Sequence, residues 1–206
     1  MSHNPSGIIL SGGPSSVNVE NAHLVDKELF EKGIPVLGIC YGMQLTTHLL
    51  GGKVKKGEKG EYGKAKFEIQ KSNTLLSGVS RFSTVWMSHF DEVETVPAGF
   101  NINGMTDVIS AISDESRNIY CVQFHPEVSH TEEGARMIDN FVFNICKAPK
   151  NWKLTNYIDK TVAEIKEKVG DQKVILGLSG GVDSSVAAVL IHKAIGDQLQ
   201  CIFVDT

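Results

Sequence analysis

Several features that mark particular classes of protein are scarce in this sequence of 206 residues. Its four cysteines are widely spaced and include no Cys-x-x-Cys pair, which argues against a disulfide framework and a zinc knuckle, and we expect no metal site. Lys and Arg total 20 against 24 Asp and Glu, a net charge of −4, so no basic excess is present to hold a nucleic-acid backbone. The longest run without charged or strongly polar side chains, residues 33–43, is well short of the roughly 18 residues that span a bilayer. We therefore expect neither nucleic acid nor a membrane as a partner.

The two ends of the sequence allow predictions about the location of the protein and about missing residues. The first residues lack a basic region followed by a long apolar stretch, so no secretory signal is visible and a cytoplasmic location is expected. A predicted strand begins almost at the first residue and another ends the sequence, and a final unit of two strands and one helix is too small to cover both faces of its sheet. We therefore expect that residues of a longer protein are missing at both ends.

The order of the predicted elements is typical of an α/β fold. Short apolar runs alternate with amphipathic helical stretches, as in parallel strands joined by crossover helices. Strands are predicted over residues 7–11 and 34–39, and helices over residues 22–32, 42–50 and 131–146. Between residues 61 and 123 the pattern changes to strands separated by turns, so this stretch is predicted to be more antiparallel. Its strand-like runs are residues 67–69, 82–87 and 119–124.

A polar segment containing a proline, residues 147–151, follows a complete predicted helix and indicates a domain boundary. We predict one domain over residues 1–147 and a second over residues 148–206. In the second domain Ile158, Val162, Ile165 and Val169 form one apolar stripe of a helix. A strand over 174–178, a helix over 184–195 and a strand over 201–204 follow, which together make a single βαβ unit.

Cys40 is the strongest candidate for a nucleophile. It lies in Gly38-Ile39-Cys40-Tyr41-Gly42, between an apolar strand and a helix, and this has the form of a nucleophile elbow. The two glycines let the chain turn sharply, so that the side chain between them stands at the carboxyl end of the strand. The positive end of the following helix favours a thiolate there. The alternative is a small buried core residue, the usual role of a free cysteine.

His125 and Glu127 are candidates for a base and the group that orients it. They end a predicted strand, where residues two apart point the same way. The carboxylate can then hold and polarise the imidazole, which is what a cysteine nucleophile requires. The alternative is a surface turn in which both side chains meet only water. The presence of the elbow cysteine favours the catalytic interpretation.

Gly12-Gly13-Pro14 follows the other predicted parallel strand. Its loop is expected to open on the same sheet edge as the elbow, where ligands of such sheets collect. A backbone N–H of this loop, together with that of Tyr41, can stabilise a developing oxyanion. A turn that merely requires positive φ would use the same glycines.

A second glycine-rich loop, residues 179–185, lies between a predicted strand and a predicted helix. Small residues allow the backbone N–H groups to surround an anion, and the helix that follows adds its positive end. The loop lacks the Gly-Lys-Ser/Thr ending of a Walker A loop, so transfer of a γ-phosphoryl group is not implied. A flexible linker is the alternative, which the flanking apolar runs disfavour.

These motifs together resemble a known pair of domains. The N-terminal part resembles a class I glutamine amidotransferase, a mixed sheet with flanking helices. Residues 179–185 resemble the pyrophosphate loop of an N-type ATP pyrophosphatase, which implies the first βαβ unit of a parallel sheet like that of the adenine-nucleotide α-hydrolases. The two in this order resemble the family of glutamine-hydrolysing GMP synthetases. The N-terminal motifs are Ser11-Gly12-Gly13-Pro14, residues 38–44, Trp86-Met87-Ser88-His89 and residues 123–128.

For the N-terminal domain the resemblance implies hydrolysis of glutamine. Cys40 would attack the side-chain amide, His125 would protonate the departing ammonia, and water would hydrolyse the thioester. Gly13 and Tyr41 would supply the N–H groups for the oxyanion. The residues expected to help bind glutamine are Gln44, Ser88 and His89.

One position departs from the pattern of the family. Phe90 stands where glycine is usual, close to the amino-acid end of the glutamine. If the backbone there requires a positive φ, phenylalanine is unfavourable, so the effect of Phe90 on glutamine binding stays open at this point.

For the second domain the resemblance implies synthesis of GMP. ATP, with Mg²⁺ countering the phosphate charge, would adenylate xanthosine monophosphate, and ammonia would then displace AMP. ATP and Mg²⁺ enter as substrate, no tightly bound cofactor is expected, and the full-length protein is expected to form a homodimer through a C-terminal region. We expect the 206 residues by themselves not to make GMP. The pyrophosphate would be held by Ser179, Gly180, Gly181, Val182, Asp183, Ser184 and Ser185.

Two alternatives stay open at this point. The chain could be a stand-alone glutaminase or γ-glutamyl hydrolase with a structural C-terminal unit. It could also be a nucleotide-binding module whose N-terminal domain is inactive, although the cysteine, histidine and glutamate are all present. Labelling of Cys40 by a glutamine analogue and the effect of replacing Asp183 separate these hypotheses.

Overall fold

The computed structural model describes residues 4–151 and 154–203. The chain divides into two compact units, residues 1–148 and residues 149–206, and the predicted boundary lies one residue earlier. Val204, the last residue of the predicted final strand, lies outside the described residues. In the part of the chain that the structure describes, no helix is long and apolar enough to cross a membrane.

The N-terminal unit is built on a mixed sheet, which confirms the predicted fold class. Its described residues form seven strands in the order β1-β2-β7-β6-β5-β3-β4. β1, β2 and β7 are parallel, and the remaining pairs are antiparallel, as the change of pattern after residue 61 predicted. The strands are β1 (Ile8–Leu10), β2 (Val36–Ile39), β3 (Lys53–Ile69), β4 (Phe82–Thr95), β5 (Asn101–Met105), β6 (Ile109–Asp114) and β7 (Ile119–Val122).

Two of the predicted helices in this unit are wrong in extent. The helix predicted over residues 22–32 is a single 3₁₀ segment, Lys27–Glu31, which begins where Asp26 accepts a hydrogen bond from the Glu28 N–H at 2.9 Å. Residues 22–26 before it are not helical, and within them the His23 carbonyl accepts a hydrogen bond from the Tyr41 hydroxyl at 3.0 Å. The helix predicted over 131–146 is shorter: α2 (Gly134–Asp139) continues as a π-helix over Asn140–Ile145.

The predictions also missed most of a long hairpin. Residues 67–69 and 82–87 were predicted as strands, but β3 has 17 residues and β4 has 14. The lysines and glycines of β3 give no clean alternation of polar and apolar side chains, so its strand form depends on pairing with β4. That pairing runs from Lys53 opposite Thr95 to Glu68 opposite Phe82, with irregularities of register on the way. Part of β4 consequently reaches the carboxyl edge of the parallel strands.

The core of this unit covers both faces of the central strand β2, all four residues of which are buried. Leu37 and Ile39 belong to one apolar cluster, in which Phe67 and Phe124 meet edge to face with ring centroids 5.0 Å apart. Val36 belongs to a second cluster on the opposite face. Because β2 is held on both sides, the residue that follows it, Cys40, starts from a rigid position.

Helix α1 (Tyr41–Leu49) follows β2 directly, in agreement with the predicted helix over 42–50, and passes unusually close to β1. A Cβ atom placed on Gly42 would overlap the carbonyl oxygen of Leu10. Since backbone atoms are involved on both sides, the clash cannot be relieved by turning a side chain. The glycine is therefore needed for α1 to lie against the sheet.

The C-terminal unit contains α3 (Leu154–Val169), β8 (Val174–Leu178), α4 (Val182–Ile195) and β9 (Leu199–Phe203). β8 and β9 are parallel, with Val174 opposite Leu199 and Leu178 opposite Phe203, which confirms the predicted short parallel sheet. Apolar side chains remain exposed on this unit, among them Ile175, Val189 and Phe203.

Replacing Gly42 by alanine is expected to destabilise the N-terminal unit by about 3 kcal/mol, since the overlap with Leu10 forces α1 away from β1. Urea denaturation followed by circular dichroism measures the effect. Gly177→Ala is the control, because a Cβ there meets nothing within 4 Å. Equal unfolding midpoints for the two variants would contradict the close packing of α1 against β1.

Candidate active site

The turn between β2 and α1 holds Cys40 in a rare backbone conformation. Cys40 has φ 52° and ψ −107°, a region that residues other than glycine seldom adopt. Its N–H donates to the Val122 carbonyl at 2.8 Å, and its own carbonyl accepts from Met43 at 3.0 Å. A Cβ on Gly38 would lie 2.7 Å from the carbonyl oxygen of Gly42, so the turn requires that glycine. Strained residues of this kind occur at functional sites, where the surrounding structure enforces them.

The environment of the four cysteines separates Cys40 from the others. Burial raises the pKa of Cys121 to about 12 and that of Cys146 to about 11, so neither thiol ionises near neutral pH. Cys201 is exposed, in the other unit. Cys40 is buried, and its sulfur lies 3.6 Å from the carbonyl oxygen of Ser88 in β4. Cys40 lines a cavity together with His125, and Cys201 lines a different one together with His192. Of these two histidines, His125 is the one hydrogen bonded to a carboxylate, that of Glu127.

His125 and Glu127 are hydrogen bonded to each other. The Nδ1–H of the imidazole donates to Glu127 Oε1 at 2.7 Å, and the two side chains are 17% and 48% exposed. This fixes the tautomer of a neutral His125, because the carboxylate can only accept. The other ring nitrogen, Nε2, is therefore the one that can exchange a proton with a nucleophile.

His125 and Cys40 lie side by side beneath Gly12. A Cβ on Gly12 would be 3.0 Å from His125 Cε1 and 3.5 Å from Cys40 Cβ, so this glycine lets the loop after β1 close over both side chains. His125 Nε2 is buried and has no hydrogen bond of ordinary geometry. Cys40 is nevertheless its strongest electrostatic neighbour. The sulfur and the ring are thus adjacent without being locked together, since the thiol points to Ser88.

The surroundings of His125 favour its protonated form. Cys40 is the largest influence, and with Glu127 it raises the pKa of His125 to about 9, although burial acts in the opposite direction. At neutral pH the imidazole therefore carries a proton that it can donate to a leaving group.

The cysteine and the histidine open into a cavity of about 470 Å³. Gly13 lies on its wall, and a Cβ on Gly13 would pack 3.8 Å from the Tyr41 ring. Tyr41 opens α1 directly after Cys40, where helix N–H groups have no intrahelical partner. The cavity is lined by Gly13, Pro14, Ser15, Ser16, Cys40, Gln44, Tyr62, Ser88, His89, Phe90, Asp91 and His125.

Gln44 is held by its amide nitrogen. Nε2 donates to the Asp91 carbonyl at 2.7 Å and to Gln123 Oε1 at 3.3 Å. Both hydrogens are then used, so Oε1 is the atom of Gln44 left to accept a hydrogen bond from a ligand. The side chain of Asp91, which the sequence analysis did not single out, also lines the cavity and accepts from the Ser16 hydroxyl.

The His89 side chain is part of the cavity wall, and its ring nitrogens are not free to donate a hydrogen bond to a ligand. Its side chain is 3% exposed, with Nδ1 3.0 Å from the Asp91 carbonyl and Nε2 3.0 Å from Glu61 Oε2. Both ring nitrogens are thus occupied by oxygen atoms of the protein. Any contact of His89 with a ligand must come from its backbone.

Phe90 is not strained. It lies within β4 and is not among the residues of positive φ, so the condition under which phenylalanine would be unfavourable is not met. Its ring is 40% exposed at the cavity and lies 5.3 Å from the Lys56 ammonium. Phe90 lies where the register between β3 and β4 shifts, between the pairs His89–Glu61 and Asp91–Lys56.

The second predicted site lies in the C-terminal unit. Gly180 has φ +77°, and Gly181 caps α4, which begins at Val182. The hydroxyls of Ser184 and Ser185 donate to the Gly181 carbonyl at 3.1 and 2.9 Å. The N–H groups of the first turn of a helix are free of intrahelical bonds, so the loop offers an exposed anion site. The exposed side chain of Asp183 stands in the same turn.

The described residues contain no cluster of three or more His, Cys, Asp or Glu side chains able to hold a metal ion. The sequence analysis did not single out Glu61, which is bound to His89, or Asp91 on the cavity wall, and it named Gln123 only within the motif of residues 123–128. They are separated from their partners by 28, 75 and 79 positions, and no local pattern marks such contacts.

Comparison with known families gives a match for each unit. Residues 1–145 match the glutamine amidotransferase class-I family, and residues 153–204 match the NAD synthase family. The second match agrees with the predicted resemblance to ATP pyrophosphatases.

Curated relatives combine both regions. The chain is 54% identical to the glutamine-hydrolyzing GMP synthase of Brachyspira hyodysenteriae, over 98% of the chain and 40% of that protein. It is 55% identical to the same enzyme of Fusobacterium nucleatum, over 100% of the chain and 41% of that protein. The chain thus spans about 40% of the length of these relatives.

Solved structures share the fold. A Thermoplasma acidophilum protein described as a putative GMP synthase subunit superposes with a TM-score of 0.60 at 30% identity, over 77% of this chain and 78% of that one. A glutamine amidotransferase of Thermotoga maritima gives 0.52 at 20% identity, over 92% and 71%, which shows the fold alone.

The titration of His125 is expected to depend more on Cys40 than on Glu127. Cys40→Ala should lower the pKa of His125 from about 9 further than Glu127→Gln does, because the sulfur is the larger influence. Protonated His125 stabilises the fold fully below pH 6.5, its reference value, and this contribution is lost as the pH rises through about 9.

Proton NMR of the His125 Cε1–H measures both variants, with Cys146→Ala as the control. An equal or larger fall in Glu127→Gln would contradict the dominance of the sulfur.

Proposed function

Because the chain belongs to the class-I glutamine amidotransferase family, we propose that its N-terminal unit hydrolyses the side-chain amide of glutamine. The ammonia serves an ATP-dependent ligase that converts xanthosine monophosphate into GMP, to which the C-terminal unit contributes the pyrophosphate loop. The observation that carries the proposal is the convergence of Cys40, His125 and Glu127 at one cavity.

The first half-reaction follows from the positions of these groups. The proton that His125 carries at neutral pH comes from the Cys40 thiol, and the resulting thiolate attacks the amide carbon, which forms a carbon–sulfur bond. The N–H groups of Gly13 and Tyr41 stabilise the oxyanion. The intermediate collapses when the carbon–nitrogen bond breaks and protonated His125 gives its proton to the leaving ammonia. His125 then takes a proton from water, the hydroxide cleaves the thioester, and glutamate leaves.

The acceptors of the cavity wall explain why a free amino acid is the substrate. The Asp91 carboxylate and Gln44 Oε1 can both accept from a substrate ammonium group. A glutamine residue within a peptide lacks this ammonium, so the half-buried Asp91 carboxylate would lose a charged partner while it keeps the bond from the Ser16 hydroxyl. Hydrogen bonds between charged groups are stronger than neutral ones, which favours the free amino acid.

The second half-reaction uses the loop before α4. Its glycines and the helix N-terminus suit the pyrophosphate of ATP. Asp183 would repel this anion unless a cation lies between them, and we infer that ATP binds with Mg²⁺. ATP adenylates the nucleotide and releases pyrophosphate, and ammonia then displaces AMP. Ammonia in neutral water is mostly protonated and loses its lone pair, so rapid transfer between the two reactions is favoured.

Further properties belong to this proposal. A protein of the full length of the relatives is proposed to be cytoplasmic and homodimeric, and to bind xanthosine monophosphate through residues other than those of the cavity and the loop. The 206 residues alone are proposed not to form GMP.

A glutaminase or γ-glutamyl hydrolase without a synthetic partner is the second candidate. It is favoured by the fact that the cavity and its three reactive residues all lie within residues 1–148. This function would not depend on the loop of the C-terminal unit.

A glutamine analogue with a diazoketone group, 6-diazo-5-oxonorleucine, is expected to label Cys40 covalently, because the analogue carries its electrophilic carbon at the position of the amide. Mass spectrometry of peptides locates the adduct. Cys40→Ala should abolish labelling, while Cys146→Ala should leave it unchanged, since that thiol lies outside the cavity. A folded protein in which Cys40 stays unlabelled would remove the basis for amide hydrolysis.

In a protein of the relatives' full length that carries this segment, Asp183→Asn is expected to lower ATP-dependent release of pyrophosphate at least ~10-fold, the loss typical when one charge-positioning group is removed. Glutamine hydrolysis measured without nucleotides should be unaffected. Asp171→Asn is the matched control, because Asp171 is exposed in the turn before β8. Unchanged pyrophosphate release in Asp183→Asn would favour the second candidate.

A further inference from the structure

A buried hydroxyl completes the pairing between the histidine segment and β4. The His125 N–H donates to the Trp86 carbonyl at 3.0 Å. In a regular antiparallel pair the Trp86 N–H would return a bond to the His125 carbonyl. Here the Thr131 hydroxyl stands between this N–H and this carbonyl and bridges them. The Trp86 N–H donates to Thr131 Oγ1 at 3.1 Å, and the Thr131 hydroxyl donates to the His125 carbonyl at 2.6 Å.

Thr131 is itself fixed from several directions. The residue as a whole is only 4% exposed. Its N–H donates to the Val128 carbonyl at 3.1 Å, and its carbonyl accepts from Gly134 at 3.2 Å. The next residue, Glu132, is bound to Thr84 of β4 through both its N–H, at 3.0 Å, and its carboxylate, at 2.8 Å. The hydroxyl is therefore held at one place between the two strands.

The same strand also contacts the nucleophile. The Ser88 carbonyl, two residues beyond Trp86, accepts from the Cys40 thiol at 3.6 Å. Carbonyl groups two residues apart in a strand point in the same direction. β4 therefore contacts both reactive groups. It binds the His125 segment through Trp86 and Thr131, and it binds the Cys40 sulfur through the Ser88 carbonyl.

We propose that Thr131 is a positioning residue for His125, whose hydroxyl keeps the His125 peptide at the separation from β4 that directs the imidazole to Cys40. The inference rests on the proposed amide hydrolysis. Without the hydroxyl, the His125 carbonyl and the Trp86 N–H must either close together or bind water. Either change rotates the His125 peptide and moves Nε2. A displacement of about 1 Å at a reacting group can cost ~100-fold in rate.

Thr131→Val tests the proposal, because valine has nearly the same shape but neither donates nor accepts. We expect kcat for glutamine hydrolysis to fall about 10- to 100-fold while KM changes less than about threefold, since the cavity wall is untouched. Thr131→Ser, which keeps the hydroxyl, should stay within about threefold of the original kcat. Thr106→Val is the matched control, because it removes a half-buried hydroxyl bound to Ser110 Oγ at 2.8 Å in the β5–β6 turn.

A second readout needs no substrate. The rate of Cys40 alkylation by iodoacetamide, measured against pH, reports how the imidazole and the sulfur share a proton. Thr131→Val should shift this profile, whereas Thr131→Ser and Thr106→Val should not. Urea denaturation of each variant separates loss of stability from loss of positioning. If Thr131→Val is insoluble, Thr131→Ala replaces it with the same expected direction.

The outcomes are distinguishable. A variant without the hydroxyl that is less stable but retains kcat and the alkylation profile overturns the proposal, since Thr131 would then be structural only. A shifted profile in a protein that does not hydrolyse glutamine supports the positioning role and refutes the proposed function. An unchanged profile with normal hydrolysis leaves the proposed function in place and rejects the role of Thr131.

Discussion

The positive φ of Cys40 is the constraint on which the N-terminal site depends. A cysteine at φ 52° is tolerated only because β2 holds it on one side and α1 on the other, and because Gly38 and Gly42 leave room for close backbone contacts. The turn brings the thiol to the end of the sheet and directs it into the cavity. A less tightly packed junction would relax to an ordinary conformation, and the sulfur would point elsewhere.

The chemistry then depends on a second strand that is far away in sequence. β4 belongs to the long hairpin with β3 and contributes one wall of the cavity. Its backbone contacts both the Cys40 thiol and the segment that carries His125. Glu127 and the sulfur together keep His125 protonated near neutral pH. In the proposed amide hydrolysis, the protonated imidazole is the group that gives a proton to the departing ammonia.

In both units the charges around the candidate site decide which group it can protonate or bind. In the N-terminal unit the Cys40 sulfur and the Glu127 carboxylate both raise the pKa of one imidazole, that of His125. In the C-terminal unit an exposed helix N-terminus favours an anion, while the carboxylate of Asp183 in the same turn disfavours one. The exposed apolar side chains of that unit accompany a sheet of only two described strands.

Local spacing was enough to predict the parts of this protein that are made by neighbouring residues. Glycines on either side of Cys40 force a turn, and residues two apart at a strand end bring His125 beside Glu127, so both features follow from a few consecutive positions. The α/β class and the parallel unit at the C-terminus follow from periodicity for the same reason. The cavity wall could not be predicted in this way. The contacts of Glu61, Asp91 and Gln123, the bridging hydroxyl of Thr131 and the unstrained backbone of Phe90 all depend on how β3 registers against β4 and where that hairpin meets β7. Register is decided by hydrogen bonds and packing between residues tens of positions apart, so it exists only once the whole sheet has formed.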